Sequence, residues 1–559
     1  MHVKVLSLCV IGALVGLAGC SQPAEQTAAP ATPAAAPAPA EPAPAEPAPA
    51  PAKPVENAKL EEFKLQAIAD IDGMKDLTQQ MVDQIYSYAE PGFQEFETSK
   101  YCVDILRKNG FTVEEGIAGI PTAFMATWGS GKPVIALGSD FDSLWGTSQT
   151  PGVPYRKPLI DEDAPGHGEG HNTGVPLSIV AAVAVKHIME REKLQGTIKV
   201  WPGVAEELIA AKAFYVRAGY FKDVDLCIFS HVSSSTGTNY GSDGSNALVS
   251  IEYTFTGTTA HAGGSPWLGR SALDAVEIMD VAWNFRREHM PISQRSHNVL
   301  TKAGGQPNVV PGTAVNWYFF RGINYDATKE MWEIGNDIAR GSALATGTKA
   351  TWKLIGSGWD RHYNKPAAEI LHANMVRVGM PAWSEDDQAF AKAVQRMLKR
   401  PEVGLAMKVG PLRAHIPEEE KTGGGSDDIG DISWNVPVAR LNYAANIPNT
   451  NSHNWNAGIA TATPIAHKGV TAAAKMAALT TLDYLLSPEL VQQAWDYFKN
   501  VQTKDKKYVP FITPTDQPCT SCNEKAMVEY RERMRKVYFD SSKYKTYLEQ
   551  LGVKYPMLQ

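Results

Sequence analysis

Glu169, His171, Glu207, His231 and His453 are the residues of this 559-residue chain whose types and placement best fit shared chemistry. Each is expected where a strand runs into a loop or a helix. Two imidazoles, two carboxylates and a further distant imidazole suit one or two divalent metal ions of the zinc or manganese kind. Glu206 directly precedes Glu207, and a spare carboxylate beside a metal ligand can take a proton from water. The set implies metal-dependent hydrolysis.

The elements that must position these residues follow from hydrophobic periodicity. Helical patterns cover 76–88 and 94–109, with strand patterns at 122–128 and 133–142. A long loop (143–172) leads to a helix over 175–193, a strand at 197–201, a helix over 206–218 and a strand at 225–231. Strands alternating with helices predict a mostly parallel sheet in an α/β fold, and such sheets bind ligands at the carboxyl ends of their strands. Asp142, Glu206, Glu207 and His231 fall there. The rhythm then changes to β-α-β-β-α-β over 246–354, the pattern of a ferredoxin-like module. Helical character returns at 367–378 and 384–398, and a strand at 438–442 resumes the catalytic layer. The expected organisation is a metallohydrolase domain in two parts (59–245 and 366–510), an inserted lid or dimerisation domain (246–365) and a C-terminal extension (511–559).

The first twenty residues carry Lys4, an apolar run through Leu6–Leu17 and then Leu17-Ala18-Gly19-Cys20. This reads as a signal peptide (1–20) ending in a lipobox, so Cys20 is the expected lipidation site and the anchor to the bacterial cell envelope. Ser21 after the cysteine is compatible with outer-membrane sorting. Residues 21–58 are dominated by Ala and Pro, a composition of extended spacers that bury no core. No later segment is expected to cross a bilayer.

A net charge of −7 offers no nucleic-acid surface. Cys102 and Cys227 lie in apolar contexts and read as packed thiols. Cys519 and Cys522, in Cys-Thr-Ser-Cys, favour a local disulfide in an exported protein.

Motifs in fixed order carry a family resemblance. They are Ala136-Leu-Gly-Ser-Asp-Phe-Asp-Ser-Leu144, Ala164-Pro-Gly-His-Gly-Glu-Gly-His-Asn172, Val204-Ala-Glu-Glu207, His261-Ala-Gly-Gly-Ser-Pro266 with Gly269-Arg-Ser-Ala-Leu-Asp-Ala275, Pro307-Asn-Val-Val-Pro311, Ser426-Asp-Asp-Ile-Gly-Asp-Ile-Ser-Trp434, Ser452-His-Asn-Trp455 and Ala466-His-Lys-Gly469. The chain resembles the amidohydrolase branch of the zinc exopeptidase and aminoacylase superfamily, in the pattern of the aminobenzoyl-glutamate utilization proteins, over nearly everything after about residue 70. One position departs: the family usually has a metal-binding cysteine where this chain has Glu169. Oxygen in place of sulfur hardens the site and tilts it from zinc toward manganese.

The resemblance implies roles. His171, Glu207, His231 and His453 are expected as metal ligands, with Glu169 as the substituted fifth. Glu206 is the expected general base, and Asp142 and Asp140 the carboxylates that orient ligands. His261 resembles the lid histidine that steadies an oxyanion. Asn308 and Arg321, with Arg270 as an alternative, resemble groups that bind the substrate's free carboxylate. His467 matches the pattern with either an orienting or a packing role. Pairing through the lid predicts a homodimer in which His261 serves the partner's site, and the hydrolase resembled works with a second subunit. The expected substrate is a small N-acyl amino acid such as p-aminobenzoyl-glutamate, cleaved at an amide next to a free carboxylate. A dipeptidase or aminoacylase specificity, or a catalytically silent envelope-tethered binding protein, are the alternatives.

Overall fold

A computed structural model describes residues 58–559. The expected signal peptide, with Cys20, and the Ala/Pro stretch up to residue 57 lie outside the described residues. Their last expected linker residue, Ala58, begins a helix, Ala58–Gly73.

In chain order the strands are β1 (Thr112–Glu115), β2 (Phe124–Ser130), β3 (Val134–Asp140), β4 (Gly196–Gly203), β5 (Leu226–Ser233), β6 (Gly241–Ser242), β7 (Ala247–Thr256), β8 (Arg295–Lys302), β9 (Thr313–Gly322), β10 (Lys349–Gly358), β11 (His362–Tyr363) and β12 (Val438–Ala444). The central sheet runs β1-β2-β4-β3-β5-β12. Its β4-β3, β3-β5 and β5-β12 pairings are parallel, and the β1-β2 and β2-β4 pairings antiparallel. The expected mostly parallel α/β sheet is what forms. β3 and β4 are buried along their whole length, and β3 accordingly opens on a continuous apolar run, Val134–Leu137, rather than an alternating one.

Two long helices, Gly174–Glu192 and Pro464–Leu486, pack against each other and against this sheet. Both are apolar nearly all round, the mark of a helix enclosed by protein. By length and composition the segment His171–Glu192 could cross a membrane, against the expectation that no such segment follows the signal, but 94% of it is buried in the protein. It is a core helix.

The inserted module is a four-stranded antiparallel sheet, β10-β7-β9-β8, with the helices Ala272–Arg287 and Tyr325–Thr346 packed on it. This is the ferredoxin-like order. Trp283, Tyr318, Tyr253 and Phe320 fill its own core. The alternating burial of β9 puts every second residue, including Phe320, inward and leaves Phe319 and Arg321 on the opposite face.

The helix expected over 206–218 is two pieces, a single 3₁₀ turn at Glu206–Leu208 and a helix at Lys212–Ala218. The break has a tertiary cause. Ile209 is left-handed at φ 53°, and Asp428, from a remote loop, accepts the backbone N–H groups of Ala211 (3.1 Å) and Lys212 (2.9 Å). A cap supplied across 216 residues of chain is invisible to local periodicity.

The C-terminal extension is bound to the body. Asn523 donates to the carbonyl of Gly92 (2.9 Å), Arg531 pairs with the buried Glu90 (3.0 Å), and Tyr547 donates its backbone N–H to Asp83 (2.9 Å). Cys519 and Cys522 are disulfide-bonded, while Cys102 and Cys227 are free and buried.

Candidate metal centre

β3, β4 and β5 deliver the site at their carboxyl ends. Asp140 ends β3 and Asp142 follows it, Glu206 and Glu207 follow β4, and His231 sits near the end of β5. Gly203 at the end of β4 is required there: a Cβ at that position would lie 1.8 Å from Asp140 Oδ1. Glu169 and His171 arrive on the long loop just before the helix Gly174–Glu192, and His453 on the loop after β12.

These residues converge. His453 Nε2 lies 2.9 Å from Glu169 Oε2 and 3.5 Å from Glu207 Oε2. His231 Nε2 lies 3.7 Å from Glu169 Oε1. His171 Nδ1 is 3.4 Å from Asp142 Oδ1 and 3.9 Å from Glu207 Oε1, and its ring meets that of His231 edge-on at 5.3 Å. Two triads, Glu169–His171–His231 and Glu169–Glu207–His453, each bring their donor atoms within 4.8 Å of one another. Glu169 belongs to both, the position of a carboxylate bridging two ions.

The donor set fits divalent metal. Both ring nitrogens of His171 are buried and lack a hydrogen-bond partner, as does Asp142 Oδ1, a costly state unless a ligand completes it. His453 holds φ 55°, a left-handed conformation that a residue with a Cβ adopts only under constraint, as functional sites often impose. His231 Nδ1 lies 2.8 Å from the carbonyl of Val232, which leaves Nε2 to face Glu169.

Electrostatics express the same crowding. Burial raises Glu207 to about 8, with the nearby Glu169 charge adding to it. Burial would also raise Glu169, but the hydrogen bond from His453 and the surrounding imidazoles hold it far below the usual carboxylate range. The Glu169 hydrogen bond and the Glu207 charge lift His453 to about 9, whereas burial drops His231 to about 4. Burial, then Asp427 and Asp140, push Glu206 well above the ordinary glutamate range.

Glu206 faces a second layer of which sequence reasoning found Asp140 and Asp142 but missed Lys212 and the part played by Asp427 and Asp428. Lys212, completely buried, lies 2.7 Å from Asp140 and 3.4 Å from Asp427, and also contacts Asp428. Its ammonium occupies the space among the carboxylates that would otherwise suit a further cation. Asp142 accepts the backbone N–H of Glu207 at 3.1 Å. The motif Ser426-Asp427-Asp428 carries a sequence signal, and its role shows only here. Lys212 carries none, since a lysine in an alanine-rich helix reads as solvated.

A cleft of about 450 Å³ joins Glu169, Glu206, Glu207, His231 and His453 to Phe319, Arg321, Arg361, Ser426, Asp427 and Arg440. Among the described residues no carboxylate lies within ion-pair distance of Arg321, and its Nε is buried without a partner. His261, Asn308 and Arg270 are not brought to the cleft. They lie on exposed loops of the inserted module, where Ala262 N–H donates to the Asn308 carbonyl and Arg270 donates to its neighbours' carbonyls. His467 is also elsewhere, 2.7 Å from Asp83, bracing the helix Pro464–Leu486 against the one at Lys75–Tyr88.

Sheet, inserted module and carboxylate–imidazole cleft together are those of a hydrolase of the metal-dependent amidohydrolase and peptidase class. No protein-family model matches the chain. One subunit of p-aminobenzoyl-glutamate hydrolase from Escherichia coli K12 is 32% identical over 464 residues, 78% of this chain and 95% of that protein. The chain belongs to the family of that hydrolase subunit. Indole-3-acetyl-aspartic acid hydrolase of Enterobacter agglomerans is 27% identical over 58% of this chain and 86% of its own. The crystal structure of an aminobenzoyl-glutamate utilization protein from Klebsiella pneumoniae shares the fold with a TM-score of 0.51 at 18% identity, covering 77% of this chain and 98% of that one.

Proposed function

We propose that this protein hydrolyses the amide bond of N-acyl amino acids next to a free carboxylate, with p-aminobenzoyl-glutamate as the leading substrate type. One observation carries the reading. The adjacent Glu206 and Glu207 divide between two environments in one cleft, Glu207 among imidazoles and Glu169, Glu206 beside the Lys212–aspartate cluster, with the unpaired Arg321 on the same wall. Glu169, His171, Glu207, His231 and His453 would hold one or two zinc or manganese ions. Metal bound there supplies Lewis acidity toward water and the scissile carbonyl.

The chain's own groups do the rest. Glu206, with its raised proton affinity, takes a proton from water and returns it to the leaving amine. Arg321 receives the substrate's free carboxylate through its guanidinium fork. His261 and Asn308, exposed on the inserted module and away from their own cleft, would serve the site of a second copy. The names of two relatives, acting on p-aminobenzoyl-glutamate and indole-3-acetyl-aspartic acid, support an N-acylated acidic amino acid. The first is one subunit of its hydrolase, which supports a second subunit here as well. Cys20 and the Ala/Pro stretch support a tether to the envelope.

The test is release of p-aminobenzoate from p-aminobenzoyl-glutamate by the purified full-length protein loaded with manganese or zinc. Release that chelator abolishes and added metal restores is the expected result. Absence of release with either metal, from protein shown to bind metal, would refute the substrate and favour the silent binding protein.

A further inference from the structure

The cleft that holds the metal triads is also lined by Arg361, Arg440 and Ser426. Arg361 Nη2 and Arg440 Nη1 both reach Asp243 Oδ2, at 2.9 and 3.1 Å. Two guanidiniums therefore share one carboxylate. The next acid, Asp427, presents Oδ2 at 3.6 Å from Arg361 Nη1, beyond hydrogen-bond length, while its Oδ1 faces Lys212. Nε of Arg361, Nε of Arg440 and Oγ of Ser426 are buried with no hydrogen-bond partner among the described residues.

Both arginine side chains are almost enclosed, 12% and 9% exposed. A guanidinium offers five donors in a fixed fork, and leaving such donors buried and unmet costs free energy that a second anion would recover. Asp243 holds the two forks in place, so an incoming carboxylate finds them preorganised. Arg321 lines the same cleft with no acid within ion-pair distance, and is a separate receptor.

We propose that Arg361, Arg440 and Ser426 form a second carboxylate subsite, so that the preferred substrates are N-acylated dicarboxylic amino acids, one carboxylate on Arg321 and the other on this pair. The proposal rests on the amide-hydrolase reading for its substrate class, but the subsite itself is a binding site and can be tested without turnover.

Calorimetry with the metal-loaded full-length protein would compare glutamate with the neutral isostere glutamine, and kinetics would compare p-aminobenzoyl-glutamate with p-aminobenzoyl-glutamine. A pair of charge-assisted hydrogen bonds predicts a preference for the diacid of about fiftyfold in each comparison. In Arg440→Met that ratio should collapse to within about threefold, and in Ser426→Ala, which leaves Asp243 paired, it should fall about fivefold. A wild-type ratio near one, or a ratio unchanged in both folded variants, overturns the subsite. Arg440-dependent glutamate binding without hydrolysis of either amide upholds the subsite and refutes the hydrolase reading instead.

Discussion

Glu95 accepts the backbone N–H of Ala205 at 2.9 Å, and so grips the residue immediately before the Glu206–Glu207 pair. Ala205 is left-handed, φ 49°, which an alanine adopts only when its surroundings impose it. Three contacts impose it here. Glu95 holds the amide from one side, Asp142 holds the N–H of Glu207 at 3.1 Å from the other, and Gly92 lies so close that a Cβ on it would meet Ala205 Cα at 2.9 Å. The other oxygen of Glu95 accepts from Thr122 at 2.8 Å.

Removing that grip should be felt in turnover more than in substrate affinity. Glu95→Ala leaves the Ala205 amide buried and unmet, at a cost of about 1–3 kcal/mol in stability. A misplaced Glu206 should lower kcat about a hundredfold. Glu95→Gln keeps an acceptor for the amide and should recover most of the rate. Steady-state kinetics with KM resolved from kcat, alongside thermal melts, checks this. A KM effect without a kcat effect would show that Glu95 supports the fold only.

Arg321 should affect the opposite parameter. Its guanidinium is largely buried and unpaired, and burial lowers its pKa while the Glu206 and Glu207 charges raise it. A receptor for the ground-state carboxylate contributes to binding throughout the reaction, so Arg321→Met should raise KM about ten- to a hundredfold with a smaller change in kcat. Arg321→Lys keeps the charge but loses the fork, and should fall between. Equal KM in wild type and Arg321→Met would remove Arg321 from substrate recognition.

How much of this was legible in the sequence depends on the range over which each feature is encoded. The parallel sheet and the β-α-β-β-α-β insertion were readable because β3, β4 and the alternating β7 and β9 carry their burial in their own residues. The helix Pro464–Leu486 was missed because it is apolar on every side and shows no 3.6-residue stripe. The break at Ile209 was missed because Asp428, its cause, is remote in sequence. Among the site residues, Glu169, His171, Glu207, His231 and His453 were found by type and motif, and the structure brings them together. Lys212, Glu95, Arg361 and Arg440 carry no local signature, and only the folded chain shows what each one touches.

Glu169 stands in two of the candidate ligand triads, at the position where the sequence resemblance leads to the expectation of cysteine. Glu169→Cys should therefore shift metal preference rather than abolish binding. Thiolate favours zinc and carboxylate favours manganese, so competition titrations should show the zinc-to-manganese affinity ratio rising about tenfold or more in the variant. Glu169→Gln, which keeps the shape but removes the bridging charge, should weaken binding of both ions. An unchanged ratio in Glu169→Cys would mean that residue 169 does not ligate.

Metal uptake should also release protons, and the pH dependence has a definite sign. Without metal, His453 is lifted to about 9 by Glu169 and Glu207, and burial with the Glu169 charge raises Glu207 to about 8. Burial works against a charged His171, but the adjoining Asp142 carboxylate and the charges of Glu207 and Glu169 raise it well above the usual imidazole range, so all three groups hold protons at pH 7 and must lose them to ligate. Affinity should rise with pH across the window from about 7 to about 9, because proton competition falls as these groups ionise. Calorimetric titration of metal in buffers of different ionisation enthalpy counts the protons directly, and release of about two to three at pH 7 is expected. Glu207→Gln removes one titrating group and should lower the count, together with the affinity. Zero proton release at pH 7, with tight binding, would show that the ligands are already deprotonated and that Glu169 alone neutralises the imidazoles around it.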